Sequence, residues 1–137
     1  MRARSQWRWD EFKETAARRL PDRLYATINR RGDFVVNLKT FIKMREPEAV
    51  VLLYDRTTRT IGVRRSRLDR PNAILVHTRH HRYNRVFRCK RFLDAHGIKI
   101  DRTLQFPNAE IDVEGVLILN LREAVLAAHM PGKGKKK

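Results

Sequence analysis

Nine consecutive residues, His77-Thr78-Arg79-His80-His81-Arg82-Tyr83-Asn84-Arg85, gather three imidazoles, three guanidiniums and a phenol into one segment. Imidazoles ligate zinc or act as general bases, so a metal-dependent nuclease using His77, His80 and His81 is one chemistry that the segment allows. The neighbouring arginines would repel a cation, however, and no carboxylate lies within the segment to act as a ligand or to orient a ring. Nucleic-acid binding uses the same residues more fully. Arginine contacts phosphate, while tyrosine and histidine stack on unpaired bases or lie beside sugars. Arg79, His81, Arg82, Tyr83 and Arg85 are the candidate contacts here.

The charge around this segment points the same way. Residues 56–91 hold twelve Lys/Arg against one acid, Asp69, a local balance of +11 in a chain whose formal net charge is +16. Residues 103–130 carry a balance of −3, and Lys133, Lys135, Lys136 and Lys137 then make the end basic again. Such a positive excess repels itself and calls for a neutralising partner. Most of it is arginine, whose planar fork matches phosphate oxygens two at a time. Arg64, Arg65, Arg67, Arg88, Lys90 and Arg91 therefore join the candidate phosphate contacts, with Arg30 and Arg31 at an earlier turn and Lys39 and Lys43 on one side of a short helix. The competing reading of these cations is a solvated face. A membrane surface fits less well, because the basic stretch has no long amphipathic helix to lay on headgroups.

Other chemistries have little support. There is no phosphate-cradling glycine loop, no CxxC pair and no HExxH, and Ser5 and Ser66 lack a nucleophile motif. The expectation is a protein that is not an enzyme and needs no cofactor or metal. Cys89 alone cannot form an internal disulfide, and its alternation with Phe87 predicts a small buried side chain in a strand. No apolar run approaches the roughly 20 residues that span a bilayer, and residues 1–9 lack the hydrophobic block of a secretory signal, so a cytoplasmic location is expected.

The elements that must position these residues are read from hydrophobic spacing. At 137 residues with 42% hydrophobic content, the chain predicts one compact domain. Trp9, Phe12, Ala16 and Leu20 recur at helical spacing, giving an N-terminal helix within 1–24 that Pro21 ends. Residues 25–37 read as a strand, the turn Asn29-Arg30-Arg31-Gly32-Asp33 and a second strand. Asn37 then caps a helix whose Leu38, Phe41 and Ile42 form one apolar face. Residues 50–54 read as a buried strand that turns at Thr57-Thr58 into 60–63. Residues 64–72, rich in arginine and holding Pro71, read as a linker dividing the chain. Beyond it, 73–76 and 85–89 read as strands, 90–96 as a short helix closed by Gly97, and 103–106, 109–112 and 116–119 as strands with a hairpin turn at Glu114-Gly115. Asn120 and Glu123 form a capping pair for a last helix to about Met130. Residues 131–137 read as a flexible basic tail.

Two stretches match at an offset of 51 residues. Phe34-Val35-Val36-Asn37-Leu38-Lys39-Thr40-Phe41-Ile42 aligns with Arg85-Val86-Phe87-Arg88-Cys89-Lys90-Arg91-Phe92-Leu93 in its apolar positions, its lysine and its phenylalanine. The piece Thr27-Ile28-Asn29-Arg30-Arg31-Gly32-Asp33-Phe34-Val35-Val36-Asn37-Leu38 resembles the opening of the AbrB/MazE/SpoVT-type swapped-hairpin domains, over about residues 26–64. Gly32 falls at that family's turn glycine and Val35-Val36 at its apolar strand. Asp33 stands where a basic residue is usual and Asn37 where proline is common, and the second half has Tyr83-Asn84 in place of the glycine. The resemblance implies a DNA-binding regulator whose two halves, about 25–70 and 71–130, pair within one chain as two chains pair in the family. The expected fold is thus α+β, a small mostly antiparallel barrel or sheet of two similar strand-helix-hairpin halves with flanking N- and C-terminal helices. The expected partner is nucleic acid, DNA favoured over RNA, for a monomeric pseudo-dimer or a homodimer, with a regulatory or architectural role. RNA or ribonucleoprotein binding, and an accessory subunit docking on an acidic protein partner, are the alternatives.

Overall fold

Apolar residues two positions apart set the framework. Ala26 and Ile28, Phe34 and Val36, Ile61 and Val63, and Leu117 and Leu119 all point into one core, as alternation along extended chain requires. The computed structural model describes residues 24–78 and 84–127. Eleven strands are present among them: β1 (Ala26–Ile28), β2 (Asp33–Asn37), β3 (Ala49–Asp55), β4 (Thr60–Ser66), β5 (Ile74–Leu75), β6 (His77–Thr78), β7 (Asn84–Arg88), β8 (Leu104–Gln105), β9 (Glu110–Ile111), β10 (Leu117–Asn120) and β11 (Val125–Leu126). The helices among these residues are α1 (Leu38–Lys43), α2 (Lys90–Ala95) and a single 3-10 turn, Leu121–Glu123.

Every strand pairing among the described residues is antiparallel. The first sheet runs β11-β8-β1-β2-β7-β6 and the second β5-β3-β4-β10-β9. This corrects the expected α+β barrel or sheet with flanking helices: the described residues form a mostly antiparallel β fold in two sheets that do not close, with two six-residue helices. Core residues come from both sheets, with Met44, Leu93, Ile98 and Phe106 contributed by the connections.

The match between the halves has a geometric counterpart. Val35 faces Val86, 51 positions further on, at the middle of the β2–β7 ladder, with Phe34 opposite Phe87 and Val36 opposite Arg85. Four adjacent strands of the first sheet read β1-β2-β7-β6, and four of the second read β3-β4-β10-β9. Each order is symmetric about its middle when β1 to β4 are set against β6, β7, β9 and β10.

Local chemistry explains several elements. Asn29 accepts from the backbone N–H of Arg31 (2.9 Å) and Asp33 (3.1 Å) through Oδ1, while Gly32 N donates to Asn29 O (2.9 Å). Asn37 caps α1 by accepting from Thr40 N at 2.9 Å, and the fully buried Thr40 hydroxyl accepts from Tyr25 N at 2.9 Å, tying the helix to the entry of β1. Asp112 Oδ1 accepts from Glu114 N and Val116 N, both at 2.9 Å, shaping the β9–β10 turn.

Four further expectations are corrected. Residues 64–66 are not linker; they complete β4, which pairs with β3 from Thr60 to Ser66. The run at 50–54 is only partly buried, since Val51 to Tyr54 are half-exposed. Ile42 points outward at 51% exposure rather than onto an apolar helix face. The C-terminal helix does not form. Asn120 caps only the 3-10 turn, Glu123 accepts from Asn108 instead of capping, and Val125-Leu126 pair with β8. The expected N-terminal helix, the 79–83 segment and the tail lie outside the described residues.

Gly32 tests the seam between the halves. Its φ is +86°, a Cβ there would lie 2.8 Å from Lys90 Cα, and its carbonyl accepts from Cys89 N at 2.8 Å. Backbone cannot yield as a flexible side chain can. Gly32→Ala is expected to cost about 2 kcal/mol or more in chemical denaturation; a reduction below about 0.5 kcal/mol would contradict this packing.

Candidate nucleic-acid interface

Strand β4 changes character halfway along. Ile61, Gly62 and Val63 are buried, and Arg64 and Arg65 then emerge exposed. The reason lies in the register: β10 covers β4 only from Thr60 to Val63, whereas β3 follows it to Ser66. Residues 64–66 therefore overhang the second sheet with one edge uncovered by β10. A strand whose end outruns the core is a place where charged side chains remain in water.

The chain then folds back. Arg70 N donates to Arg67 O and Ala73 N to Arg70 O, both at 3.2 Å, and Asn72 takes a left-handed φ of +66°. Glu48 fastens this loop to β3, accepting from Leu68 N through Oε2 at 3.3 Å and from Val76 N through its carbonyl at 3.0 Å. Between loop and overhang lies a cleft of about 560 Å³, lined by Arg64, Arg65, Arg67, Arg70, Ser66 and Asn72 among others. Among the described residues no aromatic ring lines it. Asp69 is engaged with Arg67 at 2.6 Å, both side chains being exposed.

Arg64 and Arg65 also line a second cleft of about 510 Å³, with Lys43 and Arg45 on one wall and Asp112 and Glu114 of the β9–β10 turn on the other. The two clefts thus share a pair of guanidiniums. Arg45 and Glu46, which end α1, both have positive φ (71° and 49°), a conformation that costs an L-residue on the order of 1 kcal/mol or more.

The earlier turn forms a separate basic group. Arg30 and Arg31 are exposed. The Asp33 carboxylate, only 11% exposed, lies 3.2 Å from Arg31 Nη2 and 3.8 Å from Arg88 Nε, so one carboxylate faces two cations of this region. Lys90 pairs with Asp94 at 3.1 Å, and Arg30, Lys90 and Lys99 border a small cleft that also contains Asp94 and Asp101. Exposed pairs of this kind contribute little stability, but they do lower the positive potential.

The remaining expected contacts divide. Arg85 is half-buried with its guanidinium 4.5 Å from the centre of the Phe41 ring, so it serves packing through a cation–π contact. Lys39 is half-buried, whereas Lys43 and Arg91 are exposed. Arg79, His81, Arg82 and Tyr83 lie outside the described residues. The structure brings Arg64, Arg65 and Arg67 together and adds Arg70, which the sequence shows only as part of an apparent linker. Arg45 and Lys99 were missed altogether. Nothing in their spacing marks them; only the turns place Arg45 beside Arg64 and Lys99 beside Arg30.

Of the three histidines that a metal-dependent nuclease would use, His80 and His81 lie outside the described residues and His77 is exposed. No group of three His, Cys, Asp or Glu side chains suited to a metal ion occurs among the described residues. His96 is used in an aromatic cluster, 4.8 Å from both Tyr54 and Phe92. Burial pushes the Cys89 thiol far above the ordinary cysteine range, with the Asp33 charge adding to the shift, and Sγ donates to Phe87 O at 3.4 Å. A thiol so placed stays neutral and unreactive. Cys89 should therefore resist an aromatic disulfide reagent at pH 8 in the native protein and react promptly in denaturant; rapid native-state labelling would contradict its burial.

No protein family, curated protein sequence or solved structure matches the chain.

Proposed function

We propose that this chain is a basic nucleic-acid-binding protein of the cytoplasm, favouring DNA over RNA, and that it contacts the phosphate backbone through Arg64, Arg65, Arg67 and Arg70. The observation that carries this reading is the first cleft. Four guanidiniums line one concavity, and Asp69, the acid in that stretch, pairs with one of them, Arg67, leaving an excess of three. Such a site has excess positive charge and the planar donors that suit phosphate oxygens.

Several features refine the reading. Among the described residues the lining of this cleft is arginine, serine, asparagine, valine and proline, groups that suit contact with the backbone and tolerance of sequence. The six-residue α1 and α2 are too short to act as recognition helices in a major groove. Among the described residues no helix is long and apolar enough to cross a membrane. The preference for DNA rests on the likeness of residues 27–38 to swapped-hairpin regulators, and the symmetric strand orders support a single-chain pseudo-dimer of that kind. A regulatory or architectural role fits contact of this sort.

The test is a triple charge reversal, Arg64→Glu, Arg65→Glu and Arg70→Glu, at exposed positions that the core does not need. Affinity for duplex DNA should fall at least about tenfold at 0.1 M salt, and the slope of log K against log salt should shrink by about 0.9 for each phosphate that the variant no longer neutralises. Circular dichroism and the melting temperature should stay near those of the parent. Unchanged affinity in a folded triple variant would remove this cleft from the interface.

A further inference from the structure

The two clefts that share Arg64 and Arg65 differ at their far ends. Beyond Arg64 and Arg65 in one direction lie Lys43 and Arg45, but also the carboxylates of Asp112 and Glu114. In the other direction lie Arg67 and Arg70, and the 67–72 loop with its two successive turns forms the wall. A polyanion lying along Arg64 and Arg65 thus meets acid on one side, and on the other an arginine-lined cavity walled by a folded-back loop. The carboxylates at the first end repel phosphate, so the anion is drawn toward the second, where the loop wall suits a group at which the chain stops.

We infer that the cleft bounded by Arg64, Arg65, Arg67 and Arg70 is a pocket for a phosphomonoester, the terminal phosphate of a nucleic-acid strand in preference to an internal phosphodiester. This rests on the nucleic-acid reading and names the group recognised. An internal phosphodiester carries one negative charge and two unsubstituted oxygens. A phosphomonoester carries close to two charges near pH 7 and has three such oxygens. Coulomb attraction scales with that charge, and each guanidinium fork can engage two oxygens at once. Arg64, Arg65 and Arg70, with Arg67 already paired to Asp69, line a space of about 560 Å³, and their forks offer more donors than the two free oxygens of one phosphodiester can satisfy. The cavity also has room for the sugar attached to the phosphate. Asn72 and Ser66 on the lining supply neutral polar groups beside the arginines.

The experiment measures binding of one duplex oligonucleotide in three forms, with a 5′-phosphate, with a 3′-phosphate and with free hydroxyl ends, to the full chain and to Arg70→Ala. Inorganic phosphate and a nucleoside monophosphate are added as competitors. One phosphorylated form should bind about fivefold or more tightly than the hydroxyl form, the difference expected for one or two additional charge-assisted hydrogen bonds. Arg70→Ala should weaken binding of all three forms, but of the preferred phosphorylated form by about fivefold more than of the hydroxyl form, so that the preference disappears. Competition by inorganic phosphate only at concentrations far above those of the oligonucleotide supports a nucleic-acid end as the source. Competition by the small phosphates at similar concentrations, with the preference present, supports the same pocket but a free phosphorylated metabolite as its source. Equal affinity for all three duplexes overturns the pocket and leaves backbone binding standing. Binding of none of the oligonucleotides overturns the nucleic-acid reading itself.

Discussion

The ladder between β2 and β7 is the constraint on which the rest of the structure depends. These strands are interior to the first sheet and join distant parts of the chain through five facing pairs from Asp33–Arg88 to Asn37–Asn84, with 51 residues separating the central pair, Val35–Val86. Their rings, Phe34 and Phe87, meet at 5.5 Å in the core. Because β2 is buried at every position, its backbone groups must be bonded on both edges, and β1 and β7 together do this. Helix α1 follows directly from β2, and α2 begins two residues after β7. Fixing the ladder therefore also fixes where α1 leads into the second sheet, at β3, and where α2 leads back to the first, at β8.

In that second sheet, the β4–β10 ladder plays the corresponding part, and its limited extent creates the basic overhang. Four facing pairs end at Val63–Leu117; Gly62 there is tight, with a Cβ reaching 3.1 Å from Val116. Past Val63 the side chains of β4 leave the core, although their partners Ala49 and Val50 in β3 stay buried. The sequence changes at that residue from apolar to cationic, so the end of the buried ladder and the start of the arginine cleft are one boundary. Concentrating like charge there works against folding. The local strain at Arg45, Glu46 and Asn72 borders the same clefts, as expected where a binding surface rather than stability determines residue choice.

Much of the local structure was legible in the sequence because short-range chemistry determined it. The Asn29 turn with Gly32, the Asn37 cap, the helix stop at Gly97 and the β9–β10 turn each depend on contacts within a few residues. The failures share a different cause. Residues 120–127 carry a helix signature, yet the pairing of Val125 and Leu126 with β8, closed by Ala127 N to Thr103 O at 2.9 Å, competes successfully with it. Residues 64–66 look like a linker because arginines interrupt the hydrophobic alternation, but β3 supplies hydrogen bonds that ask nothing of side-chain type. Arg85 looks like a phosphate contact because cations surround it in sequence; in space its guanidinium lies over the ring of Phe41, from the other half. The basic character of the candidate site was legible, while its shape depends on the register between strands and was not.

The most direct test of the central claim is a fluorescence-anisotropy titration of labelled duplex DNA, single-stranded DNA and structured RNA over a salt series. A backbone-binding arginine cleft predicts binding to duplex DNA, tightest among the three, with log K falling linearly against log salt at about −0.9 per phosphate neutralised. Absence of binding to all three at low salt would contradict the account.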